Sequence, residues 1–231
     1  MVPLPSPLVR GVFVRRINRF AILVQLDDGA LVVAHLPNSG RLREVLRPRT
    51  PFWLAPRSAA HRRTLYDAVS AQDGTTLVCV DARLPPRLLV DGILSGAVPE
   101  FGKVRAVKAE VPLNAHRIDL LLHADKGRWW VETKSVTLVV DGVALFPDAP
   151  TVRGQQHLHL LTQLCRNGHR AAVVFVIQRP DARCLRPHAT ADPQFAAALR
   201  AAADAGVAVR AYTCAVTFTG VGIACSVPVR L

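Results

Sequence analysis

Arg117-Ile118-Asp119-Leu120-Leu121-Leu122, a turn around Asp125-Lys126-Gly127, and Trp129-Trp130-Val131-Glu132-Thr133-Lys134 decide how the larger part of this chain is read. Both runs are rich in apolar residues, and side chains along a strand alternate between faces. Ile118, Leu120 and Leu122 therefore share one face and Asp119 takes the other, while Glu132 and Lys134 share a face with Val131 and Thr133 opposite. A hairpin centred between Asp125 and Lys126 sets Asp119 across from Glu132, one of a few registers the turn allows. Two carboxylates and an ammonium on one sheet face suit phosphodiester hydrolysis. The carboxylates hold a hard divalent cation, Mg²⁺ or alternatively Mn²⁺, and leave positions for water and a substrate phosphate. Lys134 would orient or help deprotonate the attacking water and stabilise the transition state as a point charge. The alternative is a surface hairpin with an ordinary ion pair; the flanking apolar runs, where unpaired charges are costly, weigh against it.

Working outward, Leu88, Leu89, Ile93 and Leu94 follow helical spacing after Pro85-Pro86, ending near Pro99 and Gly102. Residues 104–111, 117–123 and 129–136 read as three strands. Residues 151–166 read as a helix closed by Gly168, and 171–177 as a strand buried on both faces. A second clear helix starts with Asp192 as cap and Pro193 in its first turn and runs to Gly206; strands at 207–215 and 221–229 follow. This is an α/β core on a mixed sheet. Before it, residues 8–81 read as five or six short strands without a helix, with Asp27-Asp28-Gly29, Pro37-Asn38-Ser39-Gly40 and Asp73-Gly74 as turns. That string fits a small closed barrel of the OB type, and an SH3-like barrel would read much the same. The expected organisation is an all-β barrel over 1–84 and an α/β domain over 85–231.

The 231 residues carry a net charge of +12 and a sequence pI near 10.7, which favours phosphate-rich partners through counterion release. The competing explanation is compositional, since arginine and alanine abound as in GC-rich genomes. The positive excess is spread over both halves, so a nucleic-acid surface is expected to use both. On the barrel, Arg15, Arg16 and Arg19 with Phe20, and Arg41, Arg43, Arg47 and Arg49 with Trp53, are the candidate DNA contacts, the arginines ahead of the rings. Solvated loops over core aromatics would look the same. The five scattered cysteines form neither a disulfide framework nor a zinc pattern. No run has the length of a membrane span and the start lacks a secretory signal, so a cytoplasmic protein without membrane contact is expected. No helix-turn-helix is recognisable.

Asp119, a gap of twelve, then Glu132-Thr133-Lys134, within helix–strand–strand–strand–helix–strand, resembles the PD-(D/E)XK nuclease superfamily. Longer strings resemble the sugar fermentation stimulation protein A family of bacteria and archaea. They are Arg16-Ile17-Asn18-Arg19-Phe20, His35-Leu36-Pro37-Asn38-Ser39-Gly40-Arg41-Leu42, Arg117-Ile118-Asp119, Glu132 to Leu138, Phe146 to Thr151, and Arg153-Gly154-Gln155-Gln156-His157-Leu158. The resemblance implies an N-terminal OB-fold, a C-terminal nuclease-like domain, DNA binding, and a regulatory role in maltose and related sugar metabolism. It also implies Asp119, Glu132 and Lys134 as the nuclease signature, Glu100 as an additional metal-binding carboxylate, and Gln155 as the residue completing the site. Thr133 departs from the valine usual in the family, on the face taken to point away from the site. Asp81 and Pro86 stand where the family tends to carry asparagines.

The resulting expectation is a DNA-binding protein with a Mg²⁺-dependent nuclease-type site. The alternatives are a non-catalytic DNA-binding transcriptional regulator that keeps the fold and, more weakly, an enzyme acting on a small phosphorylated or nucleotide ligand. DNA strandedness, RNA against DNA, and a homodimer are open.

Overall fold

The computed structural model describes residues 1–58, 64–113, 116–125 and 127–231. The chain starts with β1 (Val2–Pro3) and then builds a barrel from β2 (Val9–Asn18), β3 (Ala21–Leu26), β4 (Leu31–His35), β5 (Pro51–Pro56) and β6 (Tyr66–Asp73). Strand β3 shows why: Ile22, Val24 and Leu26 face the barrel core while Gln25 faces out, as period-two alternation requires. Asp28 accepts the Ala30 N–H at 2.9 Å, and Gly29 takes φ +90° to close the β3–β4 turn. The barrel closes because β4 pairs in parallel with β6, Ala34 opposite Tyr66, while β6 pairs with β5 and β5 with β2. Parallel closure between the third and fifth barrel strands selects the OB topology over the SH3-like alternative. Phe13, Ile22, Val24, Phe52 and Leu54 fill the interior. A short β7 (Thr76–Cys79) pairs with β6 and leads out.

The second half comprises α1 (Pro85–Leu94), β8 (Val104–Leu113), β9 (His116–Ala124), β10 (Gly127–Val136), β11 (Val139–Val140), β12 (Val143–Phe146), α2 (Val152–Arg166), β13 (Arg170–Ile177), β14 (Cys184–Pro187), α3 (Pro193–Asp204), β15 (Ala208–Val216) and β16 (Gly220–Ser226). Seven strands form one mixed sheet in the order β1-β16-β15-β13-β10-β9-β8, parallel from β10 through β13 to β15. Strand β13 is buried on both sides: Val173, Phe175 and Ile177 pack under α2 and α3, and Ala172, Val174 and Val176 pack on the α1 side. The helices start as their caps dictate, with Thr151 accepting the Gly154 N–H at 3.1 Å and Asp192 the Phe195 N–H at 2.9 Å.

Three expectations need correction. Residues 1–8 do not belong to the barrel: Val2 pairs with Val221 of β16, and Val2 and Leu4 are buried in the α1-side core. A two-residue strand is too short to carry a periodic signal. Helix α1 stops at Leu94, short of Pro99, with Ser95 and the positive-φ Gly96 turning the chain. The small sheet β11-β12-β14, packed beside the main sheet, was not anticipated, because its strands are two to four residues long. Among the described residues, no helix is long and apolar enough to cross a membrane.

Candidate functional site

The decisive hairpin parts where its charged residues begin. β9 and β10 pair from Ala124–Gly127 to Leu120–Val131, and the ladder ends there. One step further in that register Asp119 stands opposite Glu132, and side chains replace the missing ladder bonds. Thr133 donates its backbone N–H to Asp119 Oδ2 at 2.8 Å and its hydroxyl to the same oxygen at 2.6 Å. The Asp119 N–H approaches Glu132 Oε2 at 3.4 Å. β10 meanwhile stays paired with β13 as far as Val136, so the sheet forks between β9 and β10. Backbone donors freed by the fork are thus satisfied by carboxylates, as buried polar groups demand. Strict alternation also fails at the fork, since Ile118 packs with the α2-side core and Leu120 and Leu122 with the α1-side core.

Glu132 is 3% exposed and Lys134 Nζ donates to its Oε1 at 2.7 Å. His157 of α2, 2% exposed, bonds the same oxygen through Nδ1. Arg153 Nε donates to His157 Nε2 at 3.4 Å, which leaves the imidazole proton on Nδ1, facing the carboxylate. Burial alone would raise the Glu132 pKa, but Lys134 and His157 outweigh it and hold this carboxyl below its usual value. Asp119 goes the other way: burial first, then the neighbouring Glu132 charge, push it up against the two Thr133 hydrogen bonds. Glu132 has Lys134 and His157 directly on its oxygen, whereas Asp119 feels the Lys134 charge only weakly against burial and Glu132.

The site opens on a cleft of about 490 Å³ between the two halves, lined on the barrel side by Arg19, Asn38 and Gly40 and opposite by Lys134 and Arg153. The halves are firmly joined around it. Asp148 Oδ2 accepts the Leu42 N–H at 3.0 Å, the Gln178 amide donates to the Cys79 and Asp81 carbonyls, and Arg179 pairs with Asp73 at 2.9 Å.

Of the residues assigned to the site, Asp119, Glu132 and Lys134 come together, whereas Gln155 and Glu100 do not join them. The Gln155 amide donates to both Asp192 carboxylate oxygens at 3.0 and 3.1 Å, toward α3. Helix phase explains this: Arg153 and His157, one turn apart, take the face over β10, and a residue midway between them points elsewhere. Glu100 lies beside Tyr212, whose hydroxyl is pushed up first by burial and then by Glu100. Tyr212 packs in the α1-side core, on the opposite face of the sheet from His157 and Glu132. The chain leaving α1 stays on that face.

The barrel arginines also divide. Arg16 donates to the backbone carbonyls of Asn18, Arg19, Gly40 and Arg41, and burial lowers its pKa, so it knits loops together instead of facing a ligand. Arg15 is exposed on β2. Arg41 and Arg43 line a separate hollow of about 230 Å³ beside Glu44 and His188. Only Arg19 of these five lines the cleft that holds the carboxylates. The Trp53 ring packs 4.9 Å from Phe218 across the two halves, which removes it from a base-stacking role. Thr133, assigned to the face away from the site, is one of its hydrogen-bond donors. From the sequence His157 reads either as lining the site near Gln155 or as packing, and Arg153 carries no signal beyond its family string; the structure brings both to the cleft.

Residues 14–80 match the SfsA N-terminal OB domain, and residues 83–220 match the sugar fermentation stimulation protein RE domain. The chain belongs to the sugar fermentation stimulation protein family. Within this family, the homolog from Chloroflexus aggregans is 44% identical over 96% of this chain and 85% of its own length. The homolog from Moorella thermoacetica is 42% identical over 100% of both chains. A solved family structure, described as Pyrococcus furiosus SfsA in complex with Ca2+, superposes with a TM-score of 0.92 at 32% identity over 100% of both chains. The OB barrel followed by an α/β domain is therefore the family architecture.

Proposed function

We propose that this protein hydrolyses phosphodiester bonds of DNA at Asp119, Glu132 and Lys134, with a divalent cation held by the two carboxylates in a PD-(D/E)XK arrangement. The observation carrying this reading is the fork between β9 and β10, which gathers a buried and a half-buried carboxylate with a lysine on a cleft that Arg19 and Arg153 also line. The residues fit a hard cation. Asp119 Oδ2 is taken by Thr133, and no hydrogen bond to Oδ1 is found among the described residues. The raised Asp119 pKa marks a carboxylate that a cation would relieve. Mg²⁺ keeps several waters and takes one or two carboxylates, so this pair is enough to hold it. The Ca2+ of the Pyrococcus furiosus relative is of the same chemical kind. When bound, such an ion lowers the pKa of a coordinated water and offsets charge on the phosphoryl oxygens.

The chain's own residues do the rest. Lys134 orients the attacking water and presents a positive charge to the developing oxyanion. Arg19 and Arg153 hold the flanking phosphates across the cleft, drawn by a net charge of +12. His157 fixes the Glu132 carboxylate by its Nδ1 hydrogen bond.

A second reading, a DNA-binding regulator without catalysis, draws support from one contact. Glu132 Oε1 is already bonded by both Lys134 and His157, which weakens Glu132 as a metal ligand. Incubating the protein with labelled DNA and Mg²⁺, Mn²⁺ or EDTA separates the readings. Metal-dependent cutting lost in Asp119→Asn and Lys134→Ala supports hydrolysis; binding without cutting, unchanged in both variants, supports the regulator.

A further inference from the structure

We infer that the cleft accepts an unpaired strand rather than a duplex, and that Phe20 is the platform on which a base stacks as the strand enters. This rests on the nucleic-acid reading of the cleft above. At about 490 Å³, the cleft is in the size range of small-ligand sites, which run to about 300–1,000 Å³. It has room for a splayed nucleotide and its neighbours.

The barrel-side wall of the cleft is held in place by the chain itself. Asn38 and Gly40 line the same cleft as the carboxylates, and Arg16 ties the Gly40 and Arg19 carbonyls together at 2.7 Å each. Across the cleft Asp148 grips Leu42, and a side chain on Gly40 would come within 2.6 Å of Asp148 Oδ2. A ring can stack on a base only where that base is unpaired, so a strand that uses a ring beside the cleft on its way to Asp119 arrives single-stranded. Enzymes that act on single nucleotides likewise use single strands or extrude a nucleotide.

Phe20 stands at the rim. It follows Arg19, which lines the cleft, and its carbonyl accepts the Leu36 N–H at 2.8 Å, two residues before Asn38. Its ring is 46% exposed. The Arg19 guanidinium sits 5.6 Å from the ring centroid and the His35 ring 6.4 Å away, so the ring is held in place while still open to solvent. A fixed, open aromatic beside an arginine that faces the reacting groups is how single-strand sites combine base stacking with backbone charge.

The test uses the full chain in EDTA, so that binding is read without cutting. An oligodeoxythymidylate and a blunt duplex of matched length serve as probes, followed by fluorescence anisotropy. Binding of the single strand is expected to be tighter than that of the duplex, and Phe20→Ala to weaken single-strand binding by about 5- to 100-fold while leaving duplex binding unchanged. Phe20→Trp, measured against wild type as the blank for the three native tryptophans, is expected to lose fluorescence on adding the oligonucleotide. The ring is exposed, so neither variant disturbs a core. Duplex binding equal to or tighter than single-strand binding overturns the proposal, as does unaltered affinity in Phe20→Ala. Cutting of duplex alone would leave hydrolysis standing and this inference lost; tryptophan quenching without any metal-dependent cutting would do the reverse.

Discussion

Thr133 donates both its backbone N–H and its hydroxyl to a single oxygen of Asp119, at 2.8 and 2.6 Å, across strands that have already stopped pairing. Two donors on one oxygen fix the carboxylate's rotation and favour its charged form. They work against burial and the charge of Glu132, which raise its pKa. Thr133→Val keeps the shape and removes the hydroxyl. Urea unfolding should show a loss of about 1.5–3 kcal/mol, typical of a hydrogen bond to a charged group. Metal-dependent cutting should also shift to higher pH, because the Asp119 pKa rises further.

Asp119 itself opposes stability in the metal-free protein. A carboxyl whose folded pKa is raised contributes stability that is fully present below its unfolded value and is lost as pH rises through the folded value. Above the folded value that contribution is gone and the charge remains in a half-buried position. Asp119→Asn keeps an acceptor for Thr133 and removes the charge, so its melting temperature in EDTA should rise, by about 2–4 °C for each kcal/mol gained. Wild type should instead gain about 2.7 kcal/mol when Mg²⁺ or Ca²⁺ is present at one hundred times its dissociation constant, and the variant should gain none. A variant that melts lower in EDTA would refute this account of the site.

Glu132 has the opposite sign. Held below its usual pKa by Lys134 and His157 against burial, it contributes stability above the unfolded carboxylate value that fades as pH falls through the folded one. His157→Ala removes the group that fixes it, and cutting should fall by about 10- to 100-fold, as for other partners of metal-binding groups. Gln155→Ala is the control. Losing the bond to Asp192 should cost about 0.5–1.5 kcal/mol in denaturation and leave the rate of cutting unchanged.

Gly40→Ala would place a methyl group 2.6 Å from Asp148 Oδ2, a carboxylate tip held in place by the Leu42 N–H. The loop must shift and the Leu42 N–H must lose its acceptor, at a cost of about 1–3 kcal/mol. Limited proteolysis should then cut the 37–45 segment faster than in wild type.

The parts of the fold read correctly from the sequence were those whose signal is local. Period-two runs marked β2 to β6, Asp192 announced its helix, and the centre of the hairpin between residues 125 and 126 set Asp119 against Glu132. What was missed depends on three-dimensional phase. Gln155 lies in a plausible stretch, but the rotation of α2 is set by how Leu158 and Leu161 pack under it, and that rotation brings His157 in and turns Gln155 out. Alternation assigned Thr133 to the far face and could not foresee a fork that brings its backbone and hydroxyl to Asp119. Arg16 reads as a ligand-facing cation beside its neighbours; only the tertiary path of the 38–41 loop turns it into a structural tie.

The pairing of Val2 with Val221 makes the larger domain discontinuous in sequence: the barrel is an insertion between its first strand and its first helix. Excising everything before Pro85 would not release an autonomous unit, because it strips an outer strand from the seven-stranded sheet and bares the flank of β16 to association. A barrel cut out from Val9 onward keeps its strand pairing but gives up the partners that Asp148, Gln178 and Arg179 offer to Leu42, Cys79 and Asp73. The same three ties fasten the barrel to the sheet on the side of the carboxylates, so the two walls of the cleft keep their spacing.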